Sequence, residues 1–192
     1  MNDLHNRRAF LRAAAVAGAA WATADLADVD AALAWSAEAA VAGGTPTTLT
    51  TAQAAVVDAV ASRILPSVDG RPGAHEAGAI MFIDRALATF NAGQKKLYAN
   101  GISDLNRRAV RRWKGTANFA ALAAPQQDEL LREIEPSPFF QAVRFDTIVG
   151  TFGLPAIGAN RDHAGWQMIG FDHQPRFQAP FGYYDAEING KG

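Results

Sequence analysis

Apolar side chains recur at three- and four-residue intervals between residues 50 and 152, and proline or glycine interrupts each run before it grows long. No stretch alternates apolar and polar residues as a half-buried strand would, so the chain is confined to helices packed on helices. Thr50 and Gln53 have capping-box spacing and open a first helix whose buried stripe is Val56, Val57, Val60 and Ile64. Pro66 ends it, because proline has no amide proton and pushes the preceding residue out of the helical region. Beyond the Ser67-Val68-Asp69-Gly70-Arg71-Pro72-Gly73 loop, a second helix is expected from about residue 74 to residue 90, with Ile80, Ile83, Leu87 and Phe90 inward. A third follows Asn91-Ala92-Gly93. It sets Tyr98, Ile102, Leu105, Ala109 and Trp113 on one side and Arg107, Arg108, Arg111 and Arg112 on the other. The arginines read as a solvated face, with a docking patch for an acidic partner as the second reading. Pro125 suits the first turn of a fourth helix carrying Leu130, Leu131 and Ile134, and Pro136-Ser137-Pro138 closes it. Residues 139–152 are apolar on nearly all sides, through Phe139, Phe140, Ala142, Val143, Phe145, Ile148 and Val149, which predicts a helix in the middle of the bundle.

Composition excludes several classes of function. The 192 residues suit one domain, and 49% hydrophobic against 19% charged residues rules out a disordered chain. A formal charge of −1 provides no attraction for nucleic acid or an anionic lipid surface. With no cysteine there is no disulfide, iron–sulfur cluster, thiolate zinc site or C-x-x-C-H haem attachment. No G-x-G-x-x-G, G-x-x-x-x-G-K-[ST] or G-x-S-x-G motif occurs, so no cofactor site is visible in this chain.

The first residues read as an address. Arg7 and Arg8 stand side by side before Phe10 and Leu11, and a weakly apolar, alanine-rich run follows, the order of a twin-arginine export signal. Residues 13–24 fall well short of the roughly 20 apolar residues that span a bilayer. Small-residue cleavage patterns occur at residues 20–22, 22–24 and 32–34. The resulting organisation is a signal over residues 1–24, an Ala/Gly-rich spacer over 25–46, a helical bundle over 47–152 and a C-terminal segment over 153–192. The twin-arginine translocase carries proteins that are already folded, and its destination is the periplasm.

The C-terminal segment is rich in Gly, Pro, Asn and aromatic residues, a composition suited to irregular backbone held by side-chain contacts. Trp166, Met168, Ile169, Phe171, Phe177, Phe181, Tyr183 and Tyr184 carry too much apolar surface for disorder, so the segment must lie on its own bundle or on another chain. Trp166 suits an anchor to the bundle, and Phe177, Phe181, Tyr183 and Tyr184 a contact with a partner. Of the four histidines, His5 leaves with the signal, and His75 diverges from Glu76 because helical neighbours point about 100° apart. The Asp162-His163 and Asp172-His173 pairs offer two imidazoles and two carboxylates to a metal, although their spacing matches no established helix motif. Surface or hydrogen-bonded histidine is the ordinary alternative.

The order of several short motifs resembles the gluconate 2-dehydrogenase subunit 3 family. They are Leu49-Thr50 through Ile64-Leu65-Pro66, Pro72-Gly73-Ala74, Glu76-Ala77-Gly78, Phe82-Ile83-Asp84, and Pro138-Phe139-Phe140 with Thr147 and Gly150. Gly158-Ala159-Asn160-Arg161-Asp162, Gly165-Trp166 and Ile169-Gly170 complete the series. The chain departs from the family pattern at Ile157-Gly158-Ala159-Asn160, where a Tyr-Gly-Gly-Asn turn is usual, and after Ile169-Gly170, where Phe171-Asp172-His173-Gln174 replaces a Pro-Gly turn.

The resemblance implies an all-helical, non-catalytic subunit bound to a large flavin-dependent dehydrogenase that holds FAD and oxidises a sugar, sugar acid or polyol. A multihaem cytochrome c is the implied third subunit, and haem c belongs there. The small subunit would carry the export signal for the flavoprotein and support its maturation. Asn160, Arg161 and Asp162 become candidates for partner contact, although Asn and Asp equally favour turns. His173, in the aromatic segment, is a candidate to reach the partner's active-site mouth. A stand-alone periplasmic binding or scaffold protein, or a metal enzyme built on the Asp-His pairs, are the competing readings.

Overall fold

A computed structural model describes residues 44–173. Arg7, Arg8, Phe10 and Leu11 of the expected export signal, the expected spacer up to residue 43, and Phe177, Phe181, Tyr183 and Tyr184 lie outside the described residues. Among the described residues the fold is all-α, with six helices: α1 (Thr51–Ile64), α2 (Ala79–Ala88), α3 (Lys95–Arg112), α4 (Ala124–Ile134), α5 (Pro138–Phe152) and α6 (Ala164–Met168). None of these is long and apolar enough to cross a membrane.

The start of α1 follows its sequence signature. The Thr50 hydroxyl accepts the Gln53 amide at 3.3 Å, and the Gln53 side chain accepts the Thr50 amide at 3.0 Å, so two otherwise unpaired donors are satisfied reciprocally. Val56, Val57 and Val60 are fully buried. Just upstream, the Asp84 carboxylate of α2 accepts the amides of Thr47 at 2.7 Å, Thr48 at 3.0 Å and Leu49 at 2.7 Å. Asp84 is itself buried, and this nest of successive N–H groups fixes where the N-terminal chain joins the bundle.

The second helix is shorter than its apolar spacing suggests. Gly78 adopts the left-handed conformation at φ 69°, so residues 74–78 form a separate turn and α2 begins only at Ala79. At the other end Thr89 leaves helical geometry, the Asn91 amide folds back onto the Ala86 carbonyl at 2.7 Å, and Phe90 is left exposed instead of inward. Periodicity cannot see either break, because apolar spacing continues across a residue whose backbone has turned away.

In α3, Tyr98, Ile102, Leu105 and Ala109 are buried as their spacing predicts, and Trp113 is half-buried at the helix end. Three of the four arginines on the outer face, Arg107, Arg108 and Arg112, are matched within the domain. Arg107 and Arg108 both bond Asp104, and Arg112 reaches Glu129 and Glu133 of α4. That is the solvated-face reading of these residues, and such exposed pairs add at most about 1 kcal/mol each. Pro125 sits in the first turn of α4, whose Leu130, Leu131 and Ile134 enter the core, while Arg63 of α1 grips Asp128 through two bonds at 2.6 and 3.0 Å.

The fifth helix differs from expectation. Ser137 caps it, accepting the Phe140 amide at 3.2 Å, and Phe139 and Val143 pack inward, the Phe139 ring edge-on to Tyr98 at 5.8 Å. The helix packs on α2, α1, α3 and α6, as a helix in the middle of the bundle would, but it is not covered all round. Its buried face also carries Asp146, Thr147 and Thr151, while Phe145 is 66% and Ile148 39% exposed. The covered side faces α2, α1, α3 and α6, and the opposite side stays open.

Asp146 is tolerated inside because it is hydrogen-bonded. The Tyr98 hydroxyl donates to it at 2.7 Å and the Asn91 amide at 3.2 Å. Burial pushes its carboxyl above the usual range and those two bonds only partly offset the shift. Burial also raises the Tyr98 phenol, with the neighbouring Asp146 charge adding to it. Because the folded state holds the Asp146 proton more tightly than the unfolded chain, stability should fall as pH climbs from the ordinary aspartate range through the raised native value. Asp146→Asn should flatten that slope in urea titrations run from pH 4 upward. Asp146→Ala, which strands two donors, should cost about 1–3 kcal/mol.

Candidate functional site

After α5 the backbone makes a succession of tight turns before α6. Leu154 is exposed, Pro155–Ile157 form one 3-10 turn, and Gly158 reverses the chain at φ 74°. Asn160, Asp162 and His163 then take positive φ values of 49°, 54° and 58°. Left-handed backbone is disfavoured for side-chain-bearing residues, though least for Asn and Asp, so three such residues within four positions must be held by their surroundings.

The holding contacts come from Asn160 and Arg161. The Asn160 amide donates to the Gly150 carbonyl of α5 at 2.7 Å, and its side-chain oxygen accepts the Gly165 amide of α6 at 2.8 Å. The Arg161 amide donates to the Ala77 carbonyl at 2.9 Å, and its guanidinium donates to the Glu76 carbonyl at 2.9 and 3.2 Å. Two adjacent residues therefore tie the end of α5, the turn before α2 and the start of α6 together. That turn is itself braced by the Glu76 carboxylate. It accepts the Ser67 hydroxyl and the Gly73 amide, each at 2.7 Å, and these bonds hold its carboxyl below the ordinary range.

The helix α6 lies hard against the last turn of α5. A Cβ on Gly165 would stand 1.8 Å from the Thr151 carbonyl oxygen, so only glycine fits there. Trp166 is buried against the bundle, its indole N–H donating to the Phe152 carbonyl at 3.0 Å. The His163 ring stacks on Trp166 at 5.0 Å and 19°, the His173 ring lies 4.8 Å from it at 37°, and Phe171 meets it edge-on at 5.5 Å.

The residues singled out in the sequence divide accordingly. Asn160 has no exposed surface and serves the turn, whereas Arg161, Asp162 and His173 remain at the surface. Trp166 anchors to the bundle. His75 bonds Asp58 of α1 at 2.7 Å while Glu76 turns to the loop, so the two neighbours diverge. The imidazoles of the two Asp-His pairs meet on one indole, but no three His, Cys, Asp or Glu side chains among the described residues come together as a metal's ligands would. Asp146 had no role in the sequence reading, and Asp84 entered it only within the Phe82-Ile83-Asp84 motif. The available signal was a charged residue inside an apolar run, in Phe82-Ile83-Asp84 and in residues 139–152.

The fold and this corner define a small helical protein whose distinctive residues brace one end of the bundle. The family model for gluconate 2-dehydrogenase subunit 3 matches residues 51–172, and the chain belongs to that family. No curated protein and no solved structure matches it. The short motifs that carried the resemblance now have physical roles. Glu76-Ala77-Gly78 receives Arg161, Gly150 receives Asn160, Gly165 allows the close approach of α6, and Asp84 fixes the N-terminal junction. Asn160→Ala should destabilise the domain by about 1–3 kcal/mol, because it strands the Gly165 amide. Asp162→Gly should stabilise it by about 0.5–1 kcal/mol, since glycine adopts φ 54° without strain. Both shifts are measurable by denaturant unfolding.

Proposed function

We propose that this chain is the non-catalytic small subunit of a periplasmic FAD-dependent sugar or sugar-acid dehydrogenase, and that it supports maturation and twin-arginine export of the catalytic flavoprotein. The observation that carries the reading is the sequence Arg7-Arg8 before Phe10-Leu11, at the head of a domain whose family is defined as a dehydrogenase subunit. A signal for folded cargo on a small helical bundle is explained if the cargo is a partner that folds around its own FAD before export. A multihaem cytochrome c then accepts the electrons as a third subunit. The exposed Arg161, Asp162 and His173 lie at the corner where contact with the flavoprotein is proposed, with His173 the residue nearest its active-site mouth.

Replacing Arg7 and Arg8 by lysine tests the export role. The flavoprotein, followed by its mass and its flavin absorbance, should reach the periplasm beside the wild-type chain and stay in the cytoplasm beside the variant. Delivery to the periplasm by the Lys-Lys variant would defeat the escort role while leaving complex formation intact. His173→Ala should change the turnover or the Michaelis constant of the assembled dehydrogenase. Unchanged kinetics would remove His173 from the active-site mouth.

A further inference from the structure

We propose that the groove which α3 forms beside the first turn of α1 is the docking site of this chain's own acidic segment, residues 25–43. The proposal concerns this chain alone and stands apart from the subunit reading. The groove has a volume of about 560 Å³, and Ala99, Ile102 and Val110 of α3 give it an apolar lining. Gln53 of α1 forms part of its wall, and Arg107 and Arg111, one helical turn apart, are the only charged residues that line it. Val110 stands 46% exposed there. Arg107 also holds Asp104, whereas Arg111 forms no ion pair among the described residues. The whole helix has the same sign, with Lys95, Lys96 and four arginines against Asp104 alone.

The sequence supplies the complement. Between Arg12 and Arg63 the chain has no Lys or Arg, and residues 25–43 carry Asp25, Asp28, Asp30 and Glu38. Leu26, Val29 and Leu33 recur there at intervals of three and four, the spacing of one helical face, which provides an apolar stripe to set against Val110. Where the segment ends matters as much as its charge. The described chain begins at Gly44, Asp84 pins the amides of Thr47, Thr48 and Leu49, and Gln53 in the wall of the groove follows within the next turn. A segment tethered this closely acts at an effective concentration of roughly millimolar, which favours it over a separate acidic chain. Exposed ion pairs are individually weak, but under such a tether weak contacts suffice, and they make the docking sensitive to salt. The other arginine-lined groove, about 440 Å³ beside Arg63, Arg132 and Arg144, has Asp128 and Glu135 in its own walls and so selects less strongly for an acidic segment. Of the small-residue cleavage patterns, those at residues 20–22 and 22–24 preserve the acidic segment, whereas cleavage at residues 32–34 would remove Asp25, Asp28 and Asp30 and uncover the groove.

The test uses the full chain, which has no cysteine, so that an introduced thiol reports a single position. The rate at which Val110→Cys reacts with a water-soluble maleimide measures how far the groove is covered. Adding Asp25→Asn, Asp28→Asn, Asp30→Asn and Glu38→Gln should raise that rate at least about fivefold. The same four substitutions should leave the rate at Phe145→Cys, exposed on α5, unchanged. Should Val110→Cys lower the Tm, Ser103→Cys, exposed in the same groove, takes its place. In a second measurement, Val110→Cys is paired in turn with Leu26→Cys, Val29→Cys and Leu33→Cys under mild oxidation. At least one pair should close a disulfide within one molecule, and none should do so with Phe145→Cys. Equal labelling of the groove with and without the four carboxylates, in chains of unchanged Tm, overturns the proposal and leaves the groove to a separate acidic partner. Disulfides that join two copies assign the groove to the neighbouring molecule's segment and overturn it as well.

Discussion

The fifth helix packs on four of the other five, and the arrangement of the molecule follows from how α5 buries a side that mixes apolar and polar residues. The inward side meets α2, α1, α3 and α6, where Phe139 and Val143 pack and polar Asp146, Thr147 and Thr151 had to be accommodated. Asp146 is accommodated through Tyr98 and Asn91, each from a different part of the chain, so the carboxylate also fixes how α3 and its preceding turn approach α5. The outward side kept Phe145 and Ile148.

The corner beyond α5 obeys a complementary logic. Three left-handed residues in four positions are costly, and they persist because Asn160 and Arg161 are bonded to carbonyls and amides of three separate segments. The arrangement holds α6 tightly against Thr151 and Phe152 and leaves Asp162, His163 and His173 displayed on a braced surface. Short motifs scattered over some ninety residues of sequence converge here as scaffold, which accounts for their recurrence as family marks without any of them needing to be catalytic.

Much of this was legible in the residues. The capping box of α1, the Pro66 stop, the Pro125 start of α4, the buried stripe of α3 and the anchoring of Trp166 all depend on contacts between near neighbours or on intrinsic backbone preference, and each stands where the spacing placed it. The early start and late stop expected for α2 and the all-round cover expected for α5 failed for a common reason. Spacing reports which side chains share a face, and says nothing about a backbone that turns at Gly78 or about whether enough neighbours exist to cover a second face.

By itself the sequence determined the helical class, most of the helix limits and the family to which residues 51–172 belong, because these rest on local geometry and on residue order. Only the tertiary structure decided that Asp84 and Asp146 are buried clasps, that Asn160 is a hidden brace beside an exposed Arg161, and that α5 leaves Phe145 and Ile148 uncovered. Those outcomes depend on partners tens of residues away, and the balance between burying a face and leaving it uncovered is struck only once the helices have met.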